Sequence, residues 1–71
     1  MTNESINILY TVKEAAGILK TNIAYVHKLR QSGKLRFIKI GQFKVRKETL
    51  ENFLKEFEGC DITDPFKVVQ L

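Results

Sequence analysis

Residues equipped to recognise another molecule gather between Asn22 and Arg46. At about 100° per residue, a helix through this stretch puts Ala24, Lys28 and Gln31 on one face, opposite Val26 and Leu29. His27 flanks that face on one side, with Tyr25 and Ser32 on the other. Gln31 can form two bonds to adenine, and Lys28 can donate to guanine acceptors. Ala24 is small enough to let a helix approach closely and touch a thymine methyl. An ordinary solvated face mixes charge signs, whereas this one carries no acid. Asn22, Ala24, Tyr25, His27, Lys28 and Gln31 are therefore the candidate base-reading set. Arg36, Lys39, Gln42, Lys44 and Arg46 follow at strand-like spacing. They suit sequence-independent contacts to phosphate.

Charge distribution strengthens this reading. The 71 residues carry a formal net charge of +4. No Asp or Glu occurs from Ala15 to Lys47, an interval that holds nine of the 12 lysines and arginines. The acids lie at Glu4, Glu14 and from Glu48 to Asp64. A basic block is the electrostatic footprint expected of a nucleic-acid binder, although such blocks also occur as merely solvated faces.

Other chemistry is poorly represented. One histidine and one cysteine, far apart, lack metal-ligand spacing, so His27 reads as a surface or groove residue. No glycine-rich phosphate loop precedes a helix, and no base is placed to activate Ser5 or Ser32. The aromatics fall at core spacing, unlike an exposed RNA-stacking platform. Neither an enzyme nor a cofactor or metal site is expected. Cys60 alone cannot build a disulfide framework and fits a reducing compartment. No apolar run resembles a signal peptide or a membrane span. A cytoplasmic, nucleoid-associated protein with no membrane partner is expected.

The elements that position these residues can be read in order. Residues 1–8 are expected to be a flexible N-terminal segment. Thr11 and Glu14 form a T-x-x-E capping box, with Tyr10 before them as a hydrophobic staple. Val12, Ala15, Ala16 and Leu19 share a face of the first helix. Gly17 within it suggests close approach of a neighbouring element. Asn22 caps a second helix, and Gly33 ends it. From Leu35 to Arg46 the period changes to two. A turn at Gly41-Gln42 predicts the pairs Ile40 with Phe43, Lys39 with Lys44, Ile38 with Val45 and Phe37 with Arg46. That register sorts Ile38, Ile40, Phe43 and Val45 onto one face. Lysines on the other either meet a polyanion or protect an edge hairpin from aggregation. A third helix from about Lys47 to Phe57 carries the stripe Leu50, Phe53, Leu54 and Phe57, with Phe53 and Leu54 expected in the core. Glu51 and Lys55 are an i,i+4 pair. Asp64-Pro65 marks a turn. Phe66, Val68, Val69 and Leu71 then form an apolar tail with strand character, which either packs back on the domain or docks a partner.

Leu9 to Phe57 resembles the excisionase-type helix-turn-helix proteins, whose domain is a small MerR-like winged helix. The resemblance rests on Tyr10, Thr11, Glu14, Ala15 and Ala16, then on Val26, Leu29, Ser32, Gly33 and Leu35. It continues through Ile38, Lys39, Ile40 and Gly41 to Glu48 and Leu50. Arg30 stands where the family often has an aliphatic residue, Ile23 where it is often basic or polar, and Gln42 where a basic residue is usual. The resemblance implies an α+β winged helix-turn-helix over residues 9–58, with two N-terminal helices, a hairpin wing and a third amphipathic helix. Residues 59–71 are a tail. It also implies sequence-specific double-stranded DNA binding in site-specific recombination. The protein would then be an excisionase that bends DNA near attachment sites of a mobile element, assists an integrase and assembles cooperatively. A small transcriptional regulator of a mobile element, or a protein-interaction adaptor acting through the tail, are the other readings.

Overall fold

The computed structural model describes residues 9–71. The expected flexible segment 1–8 lies outside them. A short strand β1 (Leu9–Thr11) leads into α1 (Val12–Ile18), and α2 (Ile23–Ser32) follows after a tight turn. The hairpin is β2 (Ile38–Ile40) and β3 (Gln42–Arg46), and α3 (Lys47–Glu56) comes next. A small ladder of β4 (Cys60–Asp61) and β5 (Val69–Gln70) closes the described chain. Three helices with a small antiparallel sheet make an α+β winged helix-turn-helix.

Local chemistry sets the helix boundaries. The Thr11 amide donates to Glu14 Oε1 at 2.8 Å, and the Glu14 amide donates to Thr11 Oγ1 at 3.1 Å. That reciprocal pair is the expected capping box. The Asn22 side chain accepts from the Tyr25 amide at 2.8 Å, which starts α2. Gly33 ends it in the left-handed region at φ 78°, where a side chain would be strained. Lys20 in the turn takes φ 57°, so the chain reverses there without a glycine. Gly17 does not serve close packing: a Cβ placed there would meet nothing within 4 Å. It sits on the outer side of α1, where no element comes near.

Ala15 and Ala16 of α1, Val26 and Leu29 of α2, Leu35, Val45 of β3, and Leu50 and Phe53 of α3 form the buried core. The alanines let α1 lie close to α2, while the aliphatics of α2 reach the sheet. Tyr10, Val12, Leu19, Phe37 and Phe57 pack around its margin.

The hairpin register differs from the sequence expectation. Ile38 opposes Lys44, Lys39 opposes Phe43, and Ile40 opposes Gln42, leaving Gly41 alone at the turn with φ 71°. The sheet order is β1-β3-β2, with Leu9 opposite Arg46, Tyr10 opposite Val45 and Thr11 opposite Lys44. A one-residue slip turns every side chain of one strand to the other face. Phe43 and Val45 therefore share a face with Lys39, while Ile38 and Ile40 are 44% and 59% exposed. The slip is tolerable because β2 is a three-residue edge strand whose own burial contributes little. It also removes the Lys39–Lys44 repulsion, since like charges directly opposite are destabilising.

Two further expectations are corrected. Leu54 is 44% exposed, so it is not core, whereas Phe53 is 4% exposed. The stripe of α3 is narrower than its apolar sequence, because the sheet it packs on is only three short strands wide. The C-terminal segment forms its own ladder, Cys60 with Gln70 and Asp61 with Val69. Only Pro65 of its turn is fully buried. Phe66, Val69 and Leu71 stay exposed, so the segment is anchored through Pro65 and Ile62 and not through these three side chains.

Phe53→Ala should lower unfolding free energy by about 3–5 kcal/mol, as expected for a buried aromatic. Leu54→Ala should stay within about 1 kcal/mol of wild type. Urea denaturation of both variants checks the assignment, and equal losses would show that α3 packs on a different face.

Candidate nucleic-acid interface

Helix geometry assigns each flank of α2 a different neighbour. Ile23, His27 and Arg30 lie on the flank toward the hairpin, and Tyr25 and Ser32 lie on the opposite flank. The structure occupies both. On the hairpin side, the Arg30 guanidinium carbon lies 4.1 Å from the centroid of the Phe43 ring. His27 meets the same ring edge-on at 6.3 Å, and Phe37 does so at 6.4 Å. The Lys39 ammonium is 5.2 Å from that centroid. Cations prefer the negative face of an aromatic ring, by roughly 0.5–1 kcal/mol where exposed and 2 where dry.

On the other flank, the Tyr25 hydroxyl donates to the Ile62 carbonyl. Burial, with the nearby Asp61 and Asp64 carboxylates, raises the Tyr25 pKa above an ordinary tyrosine's 10.0. Asp61 moves the other way, because it accepts from the Thr63 hydroxyl at 2.6 Å and the Thr63 amide at 2.9 Å. Tyr25 thus couples α2 to the C-terminal segment. Ser32 donates to the Leu29 carbonyl at 2.9 Å and fixes the helix end.

Ala24, Lys28 and Gln31 remain between these flanks, all exposed. Asn22 is also exposed, with its side chain engaged in the cap. His27 is half-buried, and its Nδ1 is sequestered with no hydrogen-bond partner. The Arg30 Nε is sequestered in the same way.

The hairpin cations do not form one surface. Lys39 shares a face with Phe43, on the α2 side. Gln42, Lys44 and Arg46 occupy the opposite face with Ile38 and Ile40. Lys44 is half-buried, and Arg46 donates to Glu48 Oε1 at 2.9 Å. Arg36 is exposed in the connection between α2 and β2, beside a shallow depression shared with Arg46. The structure thus brings Lys39 to the helix and keeps Lys44 and Arg46 apart from it.

Phe43 and Arg30 were the residues least visible in the sequence. Phe43 reads as ordinary core, and Arg30 stands out only as a charge where the family often has an aliphatic residue. The available signal was a charged residue next to the buried stripe of α2. No group of three or more potential metal ligands occurs among the described residues. No helix there is long and apolar enough to cross a membrane.

Tyr25→Phe should remove an alkaline dependence of stability. Because folding raises the Tyr25 pKa, its contribution is complete below about pH 10 and disappears as pH rises through the folded value. Wild type should lose stability relative to Tyr25→Phe above about pH 10, and exceed it by about 0.5–1.5 kcal/mol at neutral pH. Paired thermal melts across that range test it, and parallel pH profiles would exclude the coupling.

Comparison with known proteins agrees with this arrangement. A family model described as a helix-turn-helix domain matches residues 9–57, from β1 to the C-cap of α3. No curated protein and no solved structure gave a significant match. The match covers well over half of the chain and includes both helices, the hairpin and α3: the protein belongs to this excisionase-like family of helix-turn-helix domains, which are DNA-binding modules.

Proposed function

We propose that α2 enters the major groove of duplex DNA and that the hairpin wing lies along the adjacent backbone or minor groove. One observation carries this reading. With one flank of α2 against the wing and the other against the C-terminal segment, the free strip is Ala24, Lys28 and Gln31. That strip is acid-free and has donors suited to base edges. Tyr25 is engaged on its flank by Ile62, so base reading falls to Ala24, Lys28 and Gln31, with Asn22 and His27 at the margins. Arg36, Lys39, Gln42, Lys44 and Arg46 supply contacts of the holding kind.

In this proposal the biological role is that of an excisionase, which bends DNA near an attachment site and assists an integrase, with cooperative assembly along the site. Membership of an excisionase-like family supports that role. Its test is an excision reaction reconstituted with the integrase encoded nearest the gene. Stimulation of excision over integration supports the role, and unchanged recombination alongside promoter repression favours a transcriptional regulator.

Affinity for duplex DNA should fall with salt at a log–log slope of roughly −4 to −6, as for five or six neutralised phosphates. Lys28→Ala and Gln31→Ala should narrow the gap between cognate and scrambled duplex by about 1–3 kcal/mol where a two-bond base contact is lost. Lys44→Ala should weaken both duplexes similarly. Competition binding decides: if Lys44→Ala alone erodes discrimination, the wing reads sequence and α2 does not.

A further inference from the structure

A cleft of about 570 Å³ opens between the start of α1, the start of α2 and the wing. Val12 and Lys13 come from α1, Ile23 and His27 from α2, and Lys39 and Phe43 from the wing. We infer that this cleft seats the sugar–phosphate backbone of one DNA strand, with Lys13 and Lys39 as its cations. The inference rests on the binding mode proposed above and adds both a site and a residue to it.

Three features of the cleft converge on this occupant. The first is position. Ile23 and His27 sit on α2 directly beside the free strip of Ala24 and Gln31, so the cleft continues the recognition face. A duplex with α2 in its major groove and the wing beside it must carry one backbone between the two. The second is charge. Lys13 and Lys39 reach the cleft from different elements, and no acid lines it. Lys13 is exposed, and the ion pair found among the described residues, Arg46 with Glu48, does not involve it. The third is a mixed lining. Val12, Ile23 and Phe43 give apolar surface for deoxyribose, while the lysines and the Gln42 amide suit phosphate oxygens. The cleft is also preformed. Phe43, its wall on the wing side, is held by Arg30 at 4.1 Å and His27 at 6.3 Å.

Lys13 lies outside the acid-free block, one residue before Glu14, and gives no linear signal. Glu14 spends a carboxylate oxygen on the Thr11 amide at 2.8 Å in the capping box, and it does not line the cleft.

The test uses the full chain and a mixed-sequence duplex, with binding followed by fluorescence anisotropy across a salt series. Lys13→Gln and Lys39→Gln should each make the log–log slope shallower by about 1. Lys55→Gln, on the exposed side of α3 away from the cleft, should leave the slope unchanged. Melting curves should match wild type for Lys13→Gln, since its side chain is exposed. Ethylation interference supplies a second measurement: the phosphates whose modification stops mattering in the two cleft variants should be neighbours on one strand. An unchanged slope for Lys13→Gln overturns the inference. So does an equal loss in Lys55→Gln, which would reflect net charge alone, or interference sites on opposite strands. If wild type itself shows no salt-dependent duplex binding, the binding mode and the cleft assignment fall together. If Lys28→Ala and Gln31→Ala erode discrimination while Lys13→Gln keeps the wild-type slope, the recognition face stands and only the backbone seat is lost.

Discussion

The Phe43 ring is where the wing and α2 meet, and the orientation of the hairpin relative to that helix depends on the contact. Arg30 stacks on the ring at 4.1 Å, Lys39 approaches it at 5.2 Å, and His27 and Phe37 pack on it edge-on. Without this cluster, β2 and β3 would be tied to α2 mainly through Val45 in the core. Pairing with β1 holds the base of the hairpin from Lys44 to Arg46, and the Phe43 cluster holds its tip. A planar guanidinium lying on a ring restrains it, because the stacking is geometrically specific. The sequestered Nε of Arg30 is consistent with a side chain held by packing more than by hydrogen bonds.

The same cluster accounts for the hairpin register. An alternation rule assigns apolar residues of both strands to one face, and that gives Ile38, Ile40, Phe43 and Val45 together. The rule weighs only burial. It omits the attraction between Lys39 and an aromatic ring across the strand, and the repulsion that would set Lys39 against Lys44. With β2 only three residues long and at the edge of the sheet, those pairwise terms favour the observed register. The exposed Ile38 and Ile40 are the consequence.

Much of the rest was legible in the chain. Thr11 with Glu14, Asn22 and Gly33 fixed the helix ends, because caps are local chemistry and need no tertiary knowledge. The buried stripe of Val26 and Leu29 followed from helical period, and so did the exposure of Ala24, Lys28 and Gln31 opposite it. Strand β1 escaped notice because three residues carry too little alternation to register, and its partner β3 lies far along the chain. Leu54 was misplaced because an apolar residue on a helix shows which side is eligible for burial, not how wide the neighbouring surface is. Gly17 was misread for a related reason: a glycine permits close approach but does not require it.

Two long-range contacts do what no sequence period encodes, which is to decide the sides of α2. A helix with both flanks exposed would offer Tyr25, His27 and Arg30 to a partner as readily as Lys28. Here Arg30 and His27 turn toward the wing and Tyr25 toward Ile62, so within α2 the exposed polar side chains between the flanks are Lys28 and Gln31, with Ala24 beside them. The wing is divided in the same way. Lys39 joins the helix side, whereas Lys44 and Arg46 face away, and Arg46 is partly neutralised by Glu48 at 2.9 Å. The nine basic residues between Ala15 and Lys47 therefore do not add up to a uniform positive field. They are sorted by direction. In the proposed binding mode, this sorting lets a chain of 71 residues place Lys28 and Gln31 at base edges and Lys39 beside a backbone at once.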